Sequence, residues 1–304
     1  MSAVNMQLEI FVLIAVGYIL TKKGMISDRT QRQLTDLVIN LILPCTIIKS
    51  LNMEITKELL LDTGIVLLIS LCIQLFYSIM NKFLYNRMEQ SEKVCCQYST
   101  LVSNAGFIGM PVAEAMFGDT GLLYSSFFLI PMRIAMWSSG LALFSSGEDR
   151  KTVLKKVLTH PCLIAVYIGF GLMLLRSFGI AMPVFLENTV KALASCNTAM
   201  SMIVIGAILA GADVSQLMNK NVLVFSLYRL LVFPAVVYLI LHLIGTDPVV
   251  TGVCVVLTGM PAGSTTAMLA KKYDGNSVFA SALVFDSTVL SLVTLPILAL
   301  LLGM

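Results

Sequence analysis

The stretch Asn104 to Pro111 has the sequence Asn-Ala-Gly-Phe-Ile-Gly-Met-Pro and interrupts an otherwise apolar segment that extends from Val94 to Phe117. Glycine and proline cost about 1 and 3 kcal/mol respectively in a helix interior, so the sequence predicts that a helix unwinds here. In a bilayer, broken backbone is tolerated only where it is buried in protein or lines a wet cavity. We therefore expect a polar site inside a membrane protein.

The tripeptide Gly109-Met110-Pro111 returns as Gly259-Met260-Pro261, again inside an apolar segment. Paired interruptions in matching halves of a chain indicate the binding site of a secondary transporter. The halves also match near their beginnings, because Gly17 to Leu20 corresponds to Gly169 to Leu172 at a similar offset. Residues 1–150 and 151–304 are therefore predicted to be two structural copies.

The composition is that of an integral membrane protein, with 58% hydrophobic and 12% charged residues. A soluble domain carries about twice that charged fraction. Apolar runs predict an all-α polytopic membrane protein with ten transmembrane helices, near residues 5–21, 34–51, 59–81, 94–117, 121–146, 160–178, 183–210, 221–245, 248–271 and 276–303. Because five helices per copy is an odd number, the second copy is expected to be inverted relative to the first.

The distribution of basic residues predicts the orientation of the chain. The connections on one side hold fourteen Lys and Arg residues, whereas the other side holds three, Lys49, Lys57 and Arg176. By the positive-inside rule, both termini face outward from the plasma membrane. The net charge of +3 follows this topology and indicates no nucleic-acid partner. Seven cysteines without a CxxC pair and two histidines indicate neither a disulfide framework nor a metal site.

Two motifs point to a family. Asn104, Gly109 and Pro111 are followed by Met116-Phe117-Gly118, and Pro261-Ala262-Gly263 is followed by Ala270-Lys271-Lys272-Tyr273. The first set resembles the fourth helix of the auxin efflux carrier family, and the second set is similar to the ninth. This family includes plant PIN-type auxin carriers and bacterial malate or malonate permeases.

The resemblance implies the fold shared by bile-acid symporters and PIN-type carriers. In that fold helices 4 and 9 are broken and cross at the substrate site. Helices 1, 2, 6 and 7 form a scaffold, against which helices 3–5 and 8–10 move as the transport domain of an elevator. The resemblance also implies a homodimer through the scaffold helices. The long cytoplasmic loop of many plant members is absent here, so the resemblance does not extend to auxin as substrate.

The prolines of the two tripeptides predict an anion site. If Pro111 and Pro261 lie near the first position of the resumed half-helices, two helix N-termini point into the cavity, and each favours an anion by up to about 2 kcal/mol. The alternative is a pair of kinks used only for packing. Asn104 is predicted to contact the substrate directly; alternatively, it caps broken backbone or bonds a neighbouring helix. The predicted substrate-binding set is Asn104, Gly106, Gly109, Met110, Pro111, Gly259, Met260, Pro261, Gly263, Ser264, Thr265 and Arg133.

Several of these side chains have two open interpretations. Ser264, Thr265 and Thr266 either donate hydroxyls to the substrate or a cation, or cap their own half-helix. Arg133 and Asp286 lie at comparable depths in corresponding helices, so they form either a coupling device or a static buried pair. Glu114 is a second candidate for proton coupling, although N-terminal capping is the favoured reading of its position after Pro111.

The remaining charges within predicted helices are expected to be structural. Glu187 and Lys191 are spaced i, i+4 in the favourable order, so we expect them to pair. Arg229 lies eight residues after Asn221, near the cytoplasmic end of its helix, so we expect its side chain to snorkel to the interface.

These observations favour a secondary transporter for a small organic anion, a mono- or dicarboxylate such as malate. No Walker A motif is present, so no nucleotide cofactor is expected, and the energy is expected to come from a proton, a sodium ion or the substrate's own gradient. Two other readings stay open: a sodium-coupled symporter of the bile-acid type, and a channel or non-transporting sensor. An enzyme is not expected, because the sequence offers neither a G-x-S-x-G nucleophile motif nor a suitable pair of aspartates.

Overall fold

A computed structural model of the chain describes residues 3–52, 56–144, 155, 158–211 and 219–302. The predicted boundary between the two copies, at residues 150 and 151, lies outside this part. So do Arg150, Lys151 and Lys156, which contribute to the predicted orientation. The named elements are all helical. The α-helices are α1 Ala3–Lys22, α2 Asp28–Leu37, α3 Leu43–Leu51, α4 Lys57–Met80, α5 Gln90–Leu101, α6 Met110–Ala135, α7 Leu141–Phe144, α8 Pro161–Ser177, α9 Val184–Ser195, α10 Asn197–Ala210, α11 Lys220–Leu227, α12 Phe233–Ile244, α13 Pro248–Thr258, α14 Thr265–Lys272 and α15 Ser277–Leu301.

The all-helical fold of a polytopic membrane protein is confirmed for the described residues. Six helical segments among them are long and apolar enough to cross a membrane: Asp28–Leu51, Lys57–Met80, Ala105–Phe144, Val184–Ala210, Lys220–Ile244 and Ser277–Leu301. Two shorter helices, Pro161–Arg176 and Pro248–Thr258, are also apolar. Many large apolar side chains on these helices are exposed, as expected of surfaces that face lipid.

Proline explains three π-helical turns within the long helices. The turns Val38–Ile42, Ala105–Gly109 and Tyr228–Val232 each end two residues before a proline, namely Pro44, Pro111 and Pro234. Proline has no N–H, and its ring clashes with the carbonyl four residues earlier, so the regular α-helical bond cannot form there. A wider turn accommodates the ring while the helix continues, and such π-turns are frequent at functional sites.

Gly118 separates the helix that follows the first interruption from the next one. Its φ of 64° and ψ of −151° are non-helical and lie in a region that is essentially restricted to glycine. This break falls between the predicted segments 94–117 and 121–146.

The helices form two groups by their most extensive contacts. In one group α1 packs on α10, and α3 packs on α8 and α9. Gly17 and Gly206 bring α1 and α10 into backbone contact, because a Cβ at either position would collide with a carbonyl oxygen of the other helix. In the other group α6 packs on α4 and α13, while α15 packs on α11 and α14.

Candidate functional site

The two interrupted segments meet. Helix α5 ends at Leu101 and α13 ends at Thr258, and an isolated antiparallel β-bridge joins Ser103 to Ala262 beyond these ends. The Asn104 N–H donates to the Pro261 carbonyl oxygen at 2.8 Å, and the Gly263 N–H donates to the Val102 carbonyl oxygen at 3.1 Å. Each break therefore satisfies backbone groups of the other, as buried backbone requires. We call residues 102–104 and 260–263 the crossing.

Hydroxyl pairs join the helices beside the crossing. The Tyr98 hydroxyl donates to Thr265 Oγ1 at 3.1 Å, and Ser99 and Thr266 share a hydrogen bond of 2.8 Å. Thr265 and Thr266 thus bond to α5, a role that neither sequence interpretation included. Ser264 occupies the N-cap position of α14, but its side chain forms no capping bond.

The glycines of the motifs differ in what surrounds them. A Cβ on Gly109 would lie 2.7 Å from Leu257 Cδ2, and a Cβ on Gly263 would lie 3.0 Å from the Val102 carbonyl oxygen. These two glycines therefore allow the close approach of the broken segments. Gly106 has no heavy atom within 4 Å of its Cβ position, so it borders open space. Gly259, Met110 and Met260 are buried in the structure.

The predicted position of the prolines requires a correction. Pro111 is the second residue of α6, but α6 continues directly from the π-turn, because the Met110 N–H donates to the Ala105 carbonyl. Helical backbone thus resumes at Ala105, so the N–H groups of residues 105–107 are those of its first turn. Pro261 lies four residues before α14 and is part of the crossing itself, not the first turn of a helix.

Asn104 is buried, with 4% exposure, and its backbone holds the crossing. Its carbonyl also accepts the Ile108 N–H at 2.9 Å. Its side chain caps no helix and forms no hydrogen bond within the described part of the chain. Neither structural alternative for the Asn104 amide is therefore present in this conformation.

Arg133 is a buried cation with a spare donor. It is 5% exposed, and Nη1 has no hydrogen-bond partner among the described residues. The sulfur of the preceding Met132 accepts the Ser103 hydroxyl at 3.6 Å, so α6 contacts the crossing one residue before Arg133. His160 and Cys162, at the start of α8, lie close enough to Arg133 to interact with it electrostatically.

Asp286 precedes the residue by which α15 contacts the crossing. It is 8% exposed, and the hydroxyl of the following Ser287 accepts the Ala262 N–H at 3.1 Å. Asp286 has an interaction of its own. Because Arg133 Nη1 has no hydrogen-bond partner in the described part of the chain, this nitrogen does not hold the Asp286 carboxylate.

Glu114 has a different role from the predicted cap. Counted from Ala105, it lies in the third helical turn, and its Oε1 is 2.9 Å from Lys49 Nζ. Lys49 Nζ is also 3.1 Å from Asp119 Oδ1. The first-turn interpretation is therefore wrong, and the carboxylate pairs with a lysine of α3. The predicted pair of Glu187 and Lys191 is confirmed at 2.7 Å.

The prediction that Arg229 snorkels is wrong. Arg229 is 2% exposed, and its Nε and Nη1 donate to the carbonyl oxygens of Met260 and Thr100, each at 2.9 Å. It lies within the π-turn Tyr228–Val232 and faces the ring of Tyr77 at 5.0 Å. One sequence signal was available, since a charge within an apolar helix is functional by default.

An apolar cavity of about 170 Å³ lies away from the crossing, between α4, α6 and α8. Its lining is Leu59, Leu60, Thr63, Gly64, Leu67, Leu123, Phe127, Phe170 and Met173. Its apolar walls do not suit an organic anion. Within the described ranges, no group of three His, Cys, Asp or Glu side chains could hold a metal ion.

A family model described as "Membrane transport protein" matches residues 3–153 and 148–299. The chain belongs to this family. The resemblance to auxin efflux carriers is thereby confirmed. This membrane transport protein is 24% identical over 305 residues to an uncharacterized transporter of Methanocaldococcus jannaschii, covering 97% of both chains. It is 27% identical over 303 residues to an uncharacterized transporter of Methanothermobacter thermautotrophicus, covering 98% of this chain and 97% of the relative.

Proposed function

We propose that this membrane transport protein is a secondary transporter of a small organic anion, a mono- or dicarboxylate such as malate, in the plasma membrane. The observation that carries the proposal is the buried Nη1 of Arg133, which has no hydrogen-bond partner among the described residues and belongs to the residue after Met132, whose sulfur contacts the crossing at Ser103. A buried guanidinium donor without a partner is costly, and a carboxylate is the ligand that its geometry suits best.

Other groups at the crossing support an anion as substrate. The N–H groups of residues 105–107 belong to the first turn of a helix, which favours negative charge. The Asn104 amide has no hydrogen bond to the described residues and can add a polar contact, and the open space at Gly106 leaves room next to it. Asp286, which has a contact of its own, is the proposed proton acceptor for coupling.

The proposed mechanism is alternating access of the elevator type. We assign α1–α3 and α8–α10 to the scaffold, and α4–α7 and α11–α15 to the transport domain, in a ten-helix plan of two inverted repeats. The two groups of mutually packed helices support this division. The pair of Lys49 on α3 with Glu114 on α6 would then connect scaffold and transport domain. A homodimer through the scaffold remains a prediction.

Uptake of labelled malate into proteoliposomes tests the proposal. Saturable uptake is expected from the wild type under an imposed proton gradient and is expected to be lost in Asn104→Ala. That variant should fold normally, because the bond to Pro261 is made by the Asn104 backbone. Asn188→Ala, which changes an exposed asparagine on α9, is the matched control and should transport normally.

Two outcomes contradict the proposal. One is that the folded wild type takes up neither malate nor any of a panel of other mono- and dicarboxylates. The other is non-saturable flux without counterflow, which would indicate a channel.

A further inference from the structure

Arg229 is a buried cation that has no carboxylate partner among the described residues. The ion pairs found among the described residues join Lys49 to Glu114 and Asp119, and Lys191 to Glu187. The Arg229 guanidinium belongs to none of them. A charge buried in this way requires compensation from polar groups around it.

The compensation comes from helix ends. Thr100, whose carbonyl accepts Arg229 Nη1, lies in the last turn of α5, and Met260 lies two residues beyond the end of α13. A helix C-terminus carries about −0.5 elementary charge, so two such ends together offset about one positive charge. The ring of Tyr77 adds a cation–π contact.

Tyr85 does not act as a counter-ion. Its hydroxyl shares a hydrogen bond of 3.0 Å with Thr100 Oγ1. Burial raises the pKa of Tyr85 well above its usual value, so the phenol is neutral. The described groups that contact the Arg229 guanidinium are therefore the Thr100 carbonyl in the last turn of α5, the Met260 carbonyl just beyond α13 and the ring of Tyr77.

In transporters with broken helices, the unwound carbonyls and the C-terminal ends of half-helices coordinate the sodium ion. We propose that Arg229 is the resident cation of the crossing and takes the place of a coupling sodium ion. Arg229 is a positioning residue, because it holds the carbonyls of Thr100 and Met260 together. It follows that transport does not depend on sodium, and this consequence rests on the proposed function. The role of Arg229 in the crossing does not rest on it.

Melting temperatures of the purified protein test this inference without transport. We compare sodium chloride with N-methylglucamine chloride at equal ionic strength. The wild type should melt at the same temperature in both salts, and Arg229→Lys, which retains the charge, should behave similarly. Arg229→Gln retains a donor but not the charge. It should melt lower by on the order of 5–10 °C in N-methylglucamine, and sodium should restore at least about half of that loss.

Arg176→Gln is the matched control. Arg176 Nη1 also donates to a backbone carbonyl, that of Asn52 at 3.1 Å, but at a distance from the crossing. Its replacement should lower the melting temperature only slightly and create no response to sodium. This comparison distinguishes the effect of losing a cation at the crossing from the effect of losing an arginine–carbonyl hydrogen bond elsewhere in the protein.

Three results would overturn the inference: a wild type stabilised by sodium, an Arg229→Gln variant as stable as the wild type, or a destabilised variant that sodium does not restore. If Arg229→Gln does not fold, the wild-type comparison decides alone. In proteoliposomes, malate uptake driven by a sodium gradient would also overturn it. Failure of malate uptake under every gradient contradicts the proposed function and leaves the melting result intact.

Discussion

The Asn104 N–H donates to the Pro261 carbonyl oxygen at 2.8 Å, so the two interruptions of the chain are joined through backbone atoms. A second bond, from Gly263 to Val102, runs in the antiparallel sense beside it. Proline contributes an acceptor here and has no N–H to satisfy. The crossing therefore depends on how closely the two backbones approach each other. The side chain of Asn104 takes no part in these bonds and remains available for other contacts.

Replacement of Gly263 should weaken the crossing. The added methyl of Gly263→Ala would lie 3.0 Å from the Val102 oxygen and 3.3 Å from the Ser103 oxygen. Because both obstacles are backbone, we expect a loss of about 1–3 kcal/mol in the free energy of unfolding, measured in detergent micelles. Gly106→Ala is the control, since its Cβ position faces open space, and its stability should not fall. Equal losses for both variants would contradict this account.

The ion pair of Lys49 with Glu114 should couple α3 to α6. A double-mutant cycle of Lys49→Ala and Glu114→Ala is expected to give a coupling free energy of about 1 kcal/mol, because both side chains are partly shielded from water. If the elevator assignment holds, either variant should also change the malate uptake rate, since the pair connects the two groups of helices.

The pair of Glu187 with Lys191 is the reference for that cycle. It lies within one helix at i, i+4 spacing, so its coupling should be about 0.3–0.5 kcal/mol and its loss should leave uptake unchanged. A Lys49–Glu114 coupling no larger than this reference, with unchanged uptake, would show that the contact between α3 and α6 does not restrain transport.

Arg133 should contribute to binding but not to stability. Arg133 Nη1 has no hydrogen-bond partner within the described ranges, so Arg133→Gln removes a buried charge and leaves no described carboxylate without its partner at that nitrogen. We expect a free energy of unfolding equal to or above that of the wild type. A charge-assisted hydrogen bond contributes about 1.5–3 kcal/mol, so malate affinity should fall about 10- to 100-fold.

Isothermal titration with malate, combined with chemical unfolding, tests this pair of expectations. Arg133→Lys keeps the charge without the planar donor pair and should bind with intermediate affinity. A variant that loses stability but keeps its malate affinity would assign Arg133 to the structure of the transport domain.

The helices and their interruptions could be predicted from the sequence because the forces involved are local. Long apolar runs give spanning helices, and the positions of Gly106, Gly109 and Pro111 disfavour a continuous helix at any tertiary position. The repeated tripeptide also identified both interrupted segments, and the family followed from motifs within them. The residue at which the helix resumes was predicted less accurately. The π-turn accommodates Pro111 within a helix that has already begun at Ala105.

The contacts of the charged residues depended on tertiary structure. Arg229 and Met260 are separated by 31 positions, and Lys49 and Glu114 by 65, so no local pattern reveals either pair. Burial of a charge depends on what surrounds it in space, and spacing within one helix shows only which face a residue occupies. The sequence by itself therefore determined that the chain forms apolar helices able to cross a membrane, and where two of its segments break. Only the tertiary structure decided that an arginine lies at the crossing, because distant helix ends must first come together to stabilise its charge.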